Sequence, residues 1–226
     1  MFFVFKELSL ESLIIIGVYS HRKMADYKLR YFGFRARGEP IRFLFHYAGI
    51  EFEDERIAFE DWPDLKTSLL FHQVPVLEFE GNSYFGGQTI CRYLGRQFGL
   101  CGSTESEAVR CDEVVDAMQD LVNIFIKYWF EGNEERKESM KSELLETKIP
   151  NYFGIFEKCI DLAGGKYLVT DGVTWADLFV VAWIEIFFRV DSELLEPYPK
   201  LKELYEEVRS VDAIKDWIEK RPESDF

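Results

Sequence analysis

Basic residues are scarce in this chain: 27 Lys and Arg stand against 41 Asp and Glu, a formal net charge of -14. A polyphosphate partner needs cations to displace its counterions, so nucleic acid is excluded as the main ligand. Cysteine is sparse as well. Cys91, Cys101, Cys111 and Cys159 lie ten or more residues apart, so no Cys-x-x-Cys pair signals a zinc site or a dithiol redox centre, and no metal is expected. They read as reduced thiols of a cytoplasmic protein. Long apolar runs are missing too. Nothing approaches the roughly 18 uncharged apolar residues of a spanning helix, so no membrane role is expected. The apolar stretch Leu13 to Val18 follows Glu11 and leads to no clear small-residue cleavage site, which argues against a secretory signal. Because "MADYKLRYF" begins at Met24 with a plausible start of its own, residues 1–23 are expected to be an extension outside the fold.

What is present is core material: 47% hydrophobic and 16% aromatic residues over 226 positions suffice for one large domain or two small ones. The acidity is uneven. Residues 26–100 carry nine basic side chains against eleven acidic ones, whereas residues 101–226 carry 15 against 28. An anionic small molecule is therefore better received by the first hundred residues than by the remainder.

The periodicity changes at the same place. "YKLRYF" alternates like a strand, "GEPIRFLFHYAGI" has helical spacing, and "FEDERIAF" reads as a second strand. After a short helical turn at "EDWPDLK" come two strands, "VPVLEF" and "SYFGG", joined through Glu80, Gly81 and Asn82, and then a helix over "QTICRYLGRQFGL". The order is βαβ followed by ββα. Beyond Gly102 the strands stop. "ESEAVRCDEVVDAMQDLVNIFIKYWF", "ERKESMKSELLETKIPNYFGIFEKCI", "TWADLFVVAWIEIFFRV" and "KLKELYEEVR" all read as helices. The chain divides into a small α/β domain over 24–102 and an all-helical domain over 106–226. Thr174 and Asp177 have the spacing of a capping box that starts a buried helix.

Pro75 sits inside strand-like "QVPVLEFEG", where it can donate no ladder hydrogen bond. A cis bond before it, in a tight turn, would free the N–H and C=O of Val74 to pair with an extended peptide. An edge-strand proline without a ligand is the alternative reading.

These elements, in this order, resemble the cytosolic glutathione transferases, whose first domain is thioredoxin-like. The resemblance covers about residues 25–226. "YKLRYF…RARGEPIRFLF", "DWPDLK", "QVPVLEFEG", "GQTICRYLGRQFGL" and "GVTWADL" are similar to the sigma class, which includes glutathione-dependent prostaglandin D synthases, and the tail "WIEKRPESDF" fits the same class. The resemblance implies a site for the tripeptide co-substrate glutathione. Tyr31 would donate a hydrogen bond to its sulfur, Trp62 and Lys66 would hold the glycyl carboxylate, and Gln73 and Val74 would pair with its backbone. Gln88 and Thr89, opening a helix, would cradle the γ-glutamyl carboxylate. Asp120 would reach across a homodimer to the ammonium of glutathione in the neighbouring subunit.

Arg37 matches an arginine near the sulfur, but "RARGEP" stands where many relatives read "RGRAEP", so the alternatives are that Arg35 takes its place or that both only face solvent. Without the family, Asp112, Asp116 and Asp120 read as a solvated acidic stripe. Phe32, Phe34, Val122, Phe125, Trp129 and the terminal Phe226 are candidates by position for an apolar wall beside the sulfur, with simple core packing the default reading of each. The implied activity is detoxifying conjugation of the glutathione thiolate to small hydrophobic electrophiles. Prostaglandin-H isomerisation and a non-catalytic structural or ligand-binding relative are the alternatives. A cysteine-type transferase is disfavoured, because no cysteine lies near Tyr31.

Overall fold

A computed structural model describes residues 26–224; the expected extension 1–23 and Phe226 lie outside the described residues. Strand β1 (Lys28–Phe32) lies parallel to β2 (Glu53–Ile57) and antiparallel to β3 (Val76–Phe79), which pairs antiparallel with β4 (Asn82–Phe85), giving the mixed order β2-β1-β3-β4. Helix α1 (Glu39–Ala48) links β1 to β2, α2 (Trp62–Ser68) precedes β3, and α3 (Gly87–Gln97) follows β4. This is the thioredoxin-like arrangement expected. The period of two along β1 buries Leu29 and Tyr31 on one face, beneath the helices. Parallel β1 feeds α1, so Tyr31 sits near the carboxyl end of its strand, where α/β sheets open their crevices.

The helical domain begins at α4 (Glu105–Trp129), started by a capping box between Thr104 and Glu107. It continues through α5 (Glu134–Glu143), a π-turn (Leu144–Lys148), α6 (Ile149–Leu162), α7 (Trp175–Phe187), α8 (Pro199–Ser210) and α9 (Asp212–Lys220).

The stretch "ERKESMKSELLETKIPNYFGIFEKCI" is helical throughout, as expected, and the π-turn joins α5 to α6 without leaving helical dihedrals; Pro150, which has no N–H for the ladder, sits just after it. Helix α9 is an addition to the elements expected from the sequence.

Helix α7 is buried almost all round and forms the centre of the second domain. Its start is the expected capping box. Asp177, fully buried, accepts from the Thr174 N–H at 2.7 Å, the Thr174 hydroxyl at 2.6 Å and the Leu168 N–H at 2.8 Å. Burial outweighs these bonds and holds its carboxyl above the usual aspartate value. Its partners are the backbone of the loop at Leu168 and the helix cap at Thr174, so Asp177 joins a loop to a helix. The four cysteines are free thiols, and burial pushes each upward, Cys111 to about 12.

Candidate functional site

Three segments meet at Gly87. A Cβ built there would lie 3.4 Å from the Arg37 carbonyl oxygen and 3.9 Å from Pro75 Cγ. The loop after β1, the turn before β3 and the amino end of α3 are therefore neighbours. The Val74–Pro75 bond is cis, as the sequence suggested, and β3 begins only at Val76. Among the described residues, the N–H and C=O of Val74 belong to no ladder or loop hydrogen bond. Gln73, exposed, precedes it.

Tyr31 is 4% exposed, and its hydroxyl accepts a hydrogen bond from the Arg37 backbone N–H at 3.3 Å. Burial pushes the phenol up to about 12, with the Arg37 N–H and the charges of Arg37 and Arg42 acting the other way. The phenol therefore keeps its proton at neutral pH and remains a donor. That proton has no acceptor among the described residues. Tyr27 differs: it packs against Phe45, Phe79 and Phe98, with its hydroxyl 3.4 Å from that of Tyr93, and is a core residue.

The two candidate arginines separate cleanly. Arg35 is committed to the helical domain: it pairs with Glu185 at 3.2 Å and donates to the Ser224 hydroxyl and carbonyl. The Arg37 guanidinium has no such bond among the described residues. Beyond Tyr31, Phe32 and Phe34 stack at 5.3 Å and 17°, and each meets the Tyr31 ring edge-on. The largely exposed Phe59 stacks on both, a contributor that sequence reading missed. Its only sequence signal is an aromatic three residues before Trp62.

Trp62 opens α2 and touches Phe32 edge-on at 5.3 Å. Lys66, one turn later, shares its face. Neither the indole N–H nor the ammonium has a partner among the described residues. At α3, Gly86 with φ 101° is the N-cap, the N–H groups of the first turn point out of the helix end, and the exposed Thr89 has its hydroxyl 3.5 Å from a Cβ built at Gly86. Gln88 donates to Asp116 at 2.9 Å, and Arg92 bonds Asp112 at 2.6 Å. The acidic stripe on α4 is thus partly used to hold α3, and Asp120 alone of the three stays exposed without an ion pair among the described residues.

Val122 and Phe125 have no exposed surface. Phe125 packs against Tyr128, Trp129 and Phe187 inside the helical core, so a bound molecule cannot touch either side chain in this conformation. Trp129 is half-buried and stacks on Phe125.

The sheet order, the cis turn and the appended helices define a two-domain protein with a thioredoxin-like half. Residues 27–96 match the family model of the glutathione S-transferase N-terminal domain, and residues 119–221 that of the glutathione S-transferase C-terminal domain. The chain is 36% identical over 201 residues to human hematopoietic prostaglandin D synthase, covering 89% of this chain and 99% of that one. It is 36% identical over 206 residues to glutathione S-transferase 1 of Ascaris suum, covering 90% and 100%. The solved structure of prostaglandin synthase D of Nilaparvata lugens superposes with a TM-score of 0.83 at 36% identity, covering 88% of this chain and all of the other. The chain belongs to the glutathione S-transferase family of enzymes. No helix among the described residues is long and apolar enough to cross a membrane, and no cluster of ligating side chains among them forms a metal site.

Proposed function

We propose that this chain is a cytoplasmic, sigma-class glutathione S-transferase in which the Tyr31 hydroxyl donates a hydrogen bond to the glutathione sulfur and keeps it ionised. One observation carries the reading. A buried phenol, held protonated, accepts from the Arg37 N–H, and among the described residues its own O–H is left over beside an unpaired strand-like turn. A donor aimed at the sulfur favours thiolate over thiol.

The tripeptide lies along Val74, with Gln73 beside it. Its glycyl carboxylate meets Trp62 and Lys66, and its γ-glutamyl carboxylate meets the amino end of α3 at Gln88 and Thr89. Arg37, whose guanidinium has no partner among the described residues, is the arginine nearest the sulfur, and Arg35 is not. Phe32 and Phe34 form the apolar wall for the electrophile; Val122 and Phe125 serve it only as buried support. Asp120 completes the partner subunit's site.

Ionisation alone contributes little. A thiol of pKa about 8.5 is a few per cent thiolate near pH 7, and a drop of about two units raises that fraction roughly 25-fold. The accompanying loss of nucleophilicity, with a Brønsted slope of about 0.45, removes roughly eightfold. About threefold remains, so most of the acceleration comes from holding sulfur and electrophile in attacking geometry.

Conjugation of an activated aryl halide, measured on wild type and Tyr31→Phe, tests this reading. The expected result is clear wild-type activity, a large loss of kcat in the variant and a raised pKa of bound glutathione. A fully active variant removes Tyr31 from the mechanism. Product analysis with a prostaglandin endoperoxide separates isomerisation, which leaves glutathione unconsumed, from conjugation.

A further inference from the structure

A chain of ion pairs runs from the helical domain to the loop that joins Tyr31 to Arg37, and the chemistry proposed above does not use it. Its hub is Glu185, on α7. Three arginines from different parts of the chain face this carboxylate: Arg35 from the loop, Arg209 from α8 and Arg221 just past α9. Arg221 takes both carboxylate oxygens, whereas Arg209 comes within 3.2 Å without an aligned hydrogen bond and leaves a buried N–H unsatisfied. The Tyr205 phenol lies beside the same group and under the Arg209 guanidinium. Burial pushes the Glu185 carboxyl up, but Arg221, Arg209 and Arg35 together hold it below the usual glutamate value.

Two arms leave this hub and end on the same loop. The short arm is direct: Glu185 accepts from Arg35, which is held a second time by Ser224. The long arm passes through Arg221 to Glu39 at 2.8 Å, where the Trp217 indole also donates, and then to Arg42 at 3.3 Å. Arg42, wholly buried, donates to the backbone carbonyls of Phe34 at 3.0 Å and Phe32 at 3.3 Å, on either side of Gly33. It closes on Asp54 of β2, which also holds Arg56, and Arg56 donates to the Gly33 carbonyl. The loop is thus gripped at residues 32, 33, 34 and 35. Its last part, the turn Ala36–Gly38, carries the Arg37 N–H that the Tyr31 hydroxyl accepts.

From this connectivity we infer that Glu185 is a positioning residue for the thiolate site, holding from the helical domain the loop whose Arg37 N–H orients the Tyr31 hydroxyl. The inference rests on the proposed role of Tyr31. Glu185 touches neither the phenol nor any group assigned to glutathione; it acts through Arg35 and through the Arg221, Glu39 and Arg42 relay. Five arginines share three carboxylates in this network, so the alternative is that Glu185 merely tempers a positive field near the sulfur.

The two readings differ in sign. Removing a negative charge makes the surroundings more positive, which favours a thiolate and lowers the thiol pKa. Loosening the loop weakens the aim of the phenol and raises it.

The test is the pH titration of bound glutathione by thiolate ultraviolet absorbance in wild type, Glu185→Gln, Glu185→Asp and Arg209→Gln, alongside steady-state kinetics. For Glu185→Gln a rise of about one pKa unit is expected, about tenfold less thiolate on the titrating limb, with a lower kcat and a KM for glutathione close to wild type. Glu185→Asp keeps the charge but shortens the reach, so the thiol pKa should rise there as well. Arg209 does not touch the loop, and Arg209→Gln should leave the thiol pKa in place. If Glu185→Gln fails to fold, Glu185→Asp decides alone. A fall in Glu185→Gln, an unmoved Glu185→Asp, or a rise in Arg209→Gln matched by a fall in Glu185→Gln overturns the inference. If wild type itself gives no thiolate signal with glutathione, the proposed function falls and this inference falls with it; a wild-type signal with unmoved Glu185 variants overturns the inference alone.

Discussion

Ala36 and Gly38 occupy each other's expected places. Many sigma-class relatives have glycine at the first of these positions and alanine at the second, and here "RARGEP" reverses them. Ala36 adopts φ 31°, in the left-handed region that glycine tolerates and alanine resists. Gly38 lies against the catalytic candidate: a Cβ there would come within 2.5 Å of Tyr31 Cδ1 and 3.1 Å of Arg42 Nη1. Neither atom belongs to a side chain that can swing away, since Tyr31 and Arg42 are both buried. Gly38→Ala alone should therefore cost about 1–3 kcal/mol by overpacking and raise the pKa of bound glutathione by displacing the phenol. Adding Ala36→Gly relieves the strained turn and lets the loop shift, so the double variant should recover much of both losses. Denaturant melts and thiol titrations of the two singles and the double would show this coupling; strictly additive effects would refute it.

Helices α3 and α7 belong to different domains, and their approach is set by one missing side chain. Gly95 on α3 faces the fully buried Trp175 at the start of α7, where an added Cβ would stand 2.7 Å from Cγ and 2.8 Å from Cδ1. Glycine inside a helix ordinarily costs about 1 kcal/mol relative to alanine. Here the usual gain from alanine is opposed by an overpacking penalty of about 1–3 kcal/mol against an indole with nowhere to go. Gly95→Ala is therefore expected to be destabilising, by up to about 2 kcal/mol, seen as a lower denaturation midpoint with an unchanged slope. A stabilised Gly95→Ala would mean that the two helices can slide apart without loss. The same element contacts explain why α9 belongs to the fold: Trp217 stacks on His46 of α1 at 4.3 Å and donates to Glu39, so the last helix is fastened to the first.

The assembled protein carries its negative charge mainly on the helical domain, and the reading of Asp120 as a donor to a neighbour's site requires two copies. Sedimentation should give about twice the single-chain mass of 26.6 kDa; a particle of single-chain mass would remove the shared site. Asp120 is exposed on the single chain, and a pair it makes at the solvent-screened rim of a subunit interface contributes about 0.2–1 kcal/mol. Asp120→Asn should accordingly weaken glutathione binding by no more than about fivefold, with kcat kept.

Much of this was legible in the residues themselves. Alternation in "KLRYF", helical spacing in "EPIRFLFHYA", the Thr174 to Asp177 box and the proline before β3 are local signals, each fixed by sterics and hydrogen bonds within a few residues, and each lies where the sequence placed it. Local reading failed where the deciding partner was distant. It could not choose between Arg35 and Arg37, because the choice depends on Glu185, 150 residues away. It left Val122 and Phe125 open between a substrate wall and the core, because an apolar helix residue looks the same whether it faces a cleft or the core; both are buried. The stripe of Asp112 and Asp116 reads as solvated in the sequence, whereas in the fold Arg92 and Gln88 stand opposite them. The sequence by itself determined the order of elements, their caps and turns, and the residue types able to hold a thiolate peptide. The tertiary structure alone decided which charges are spent on holding the domains together and which stay unpaired among the described residues, since an ion pair is settled by distance in space, and chain order carries no record of that distance until the chain folds.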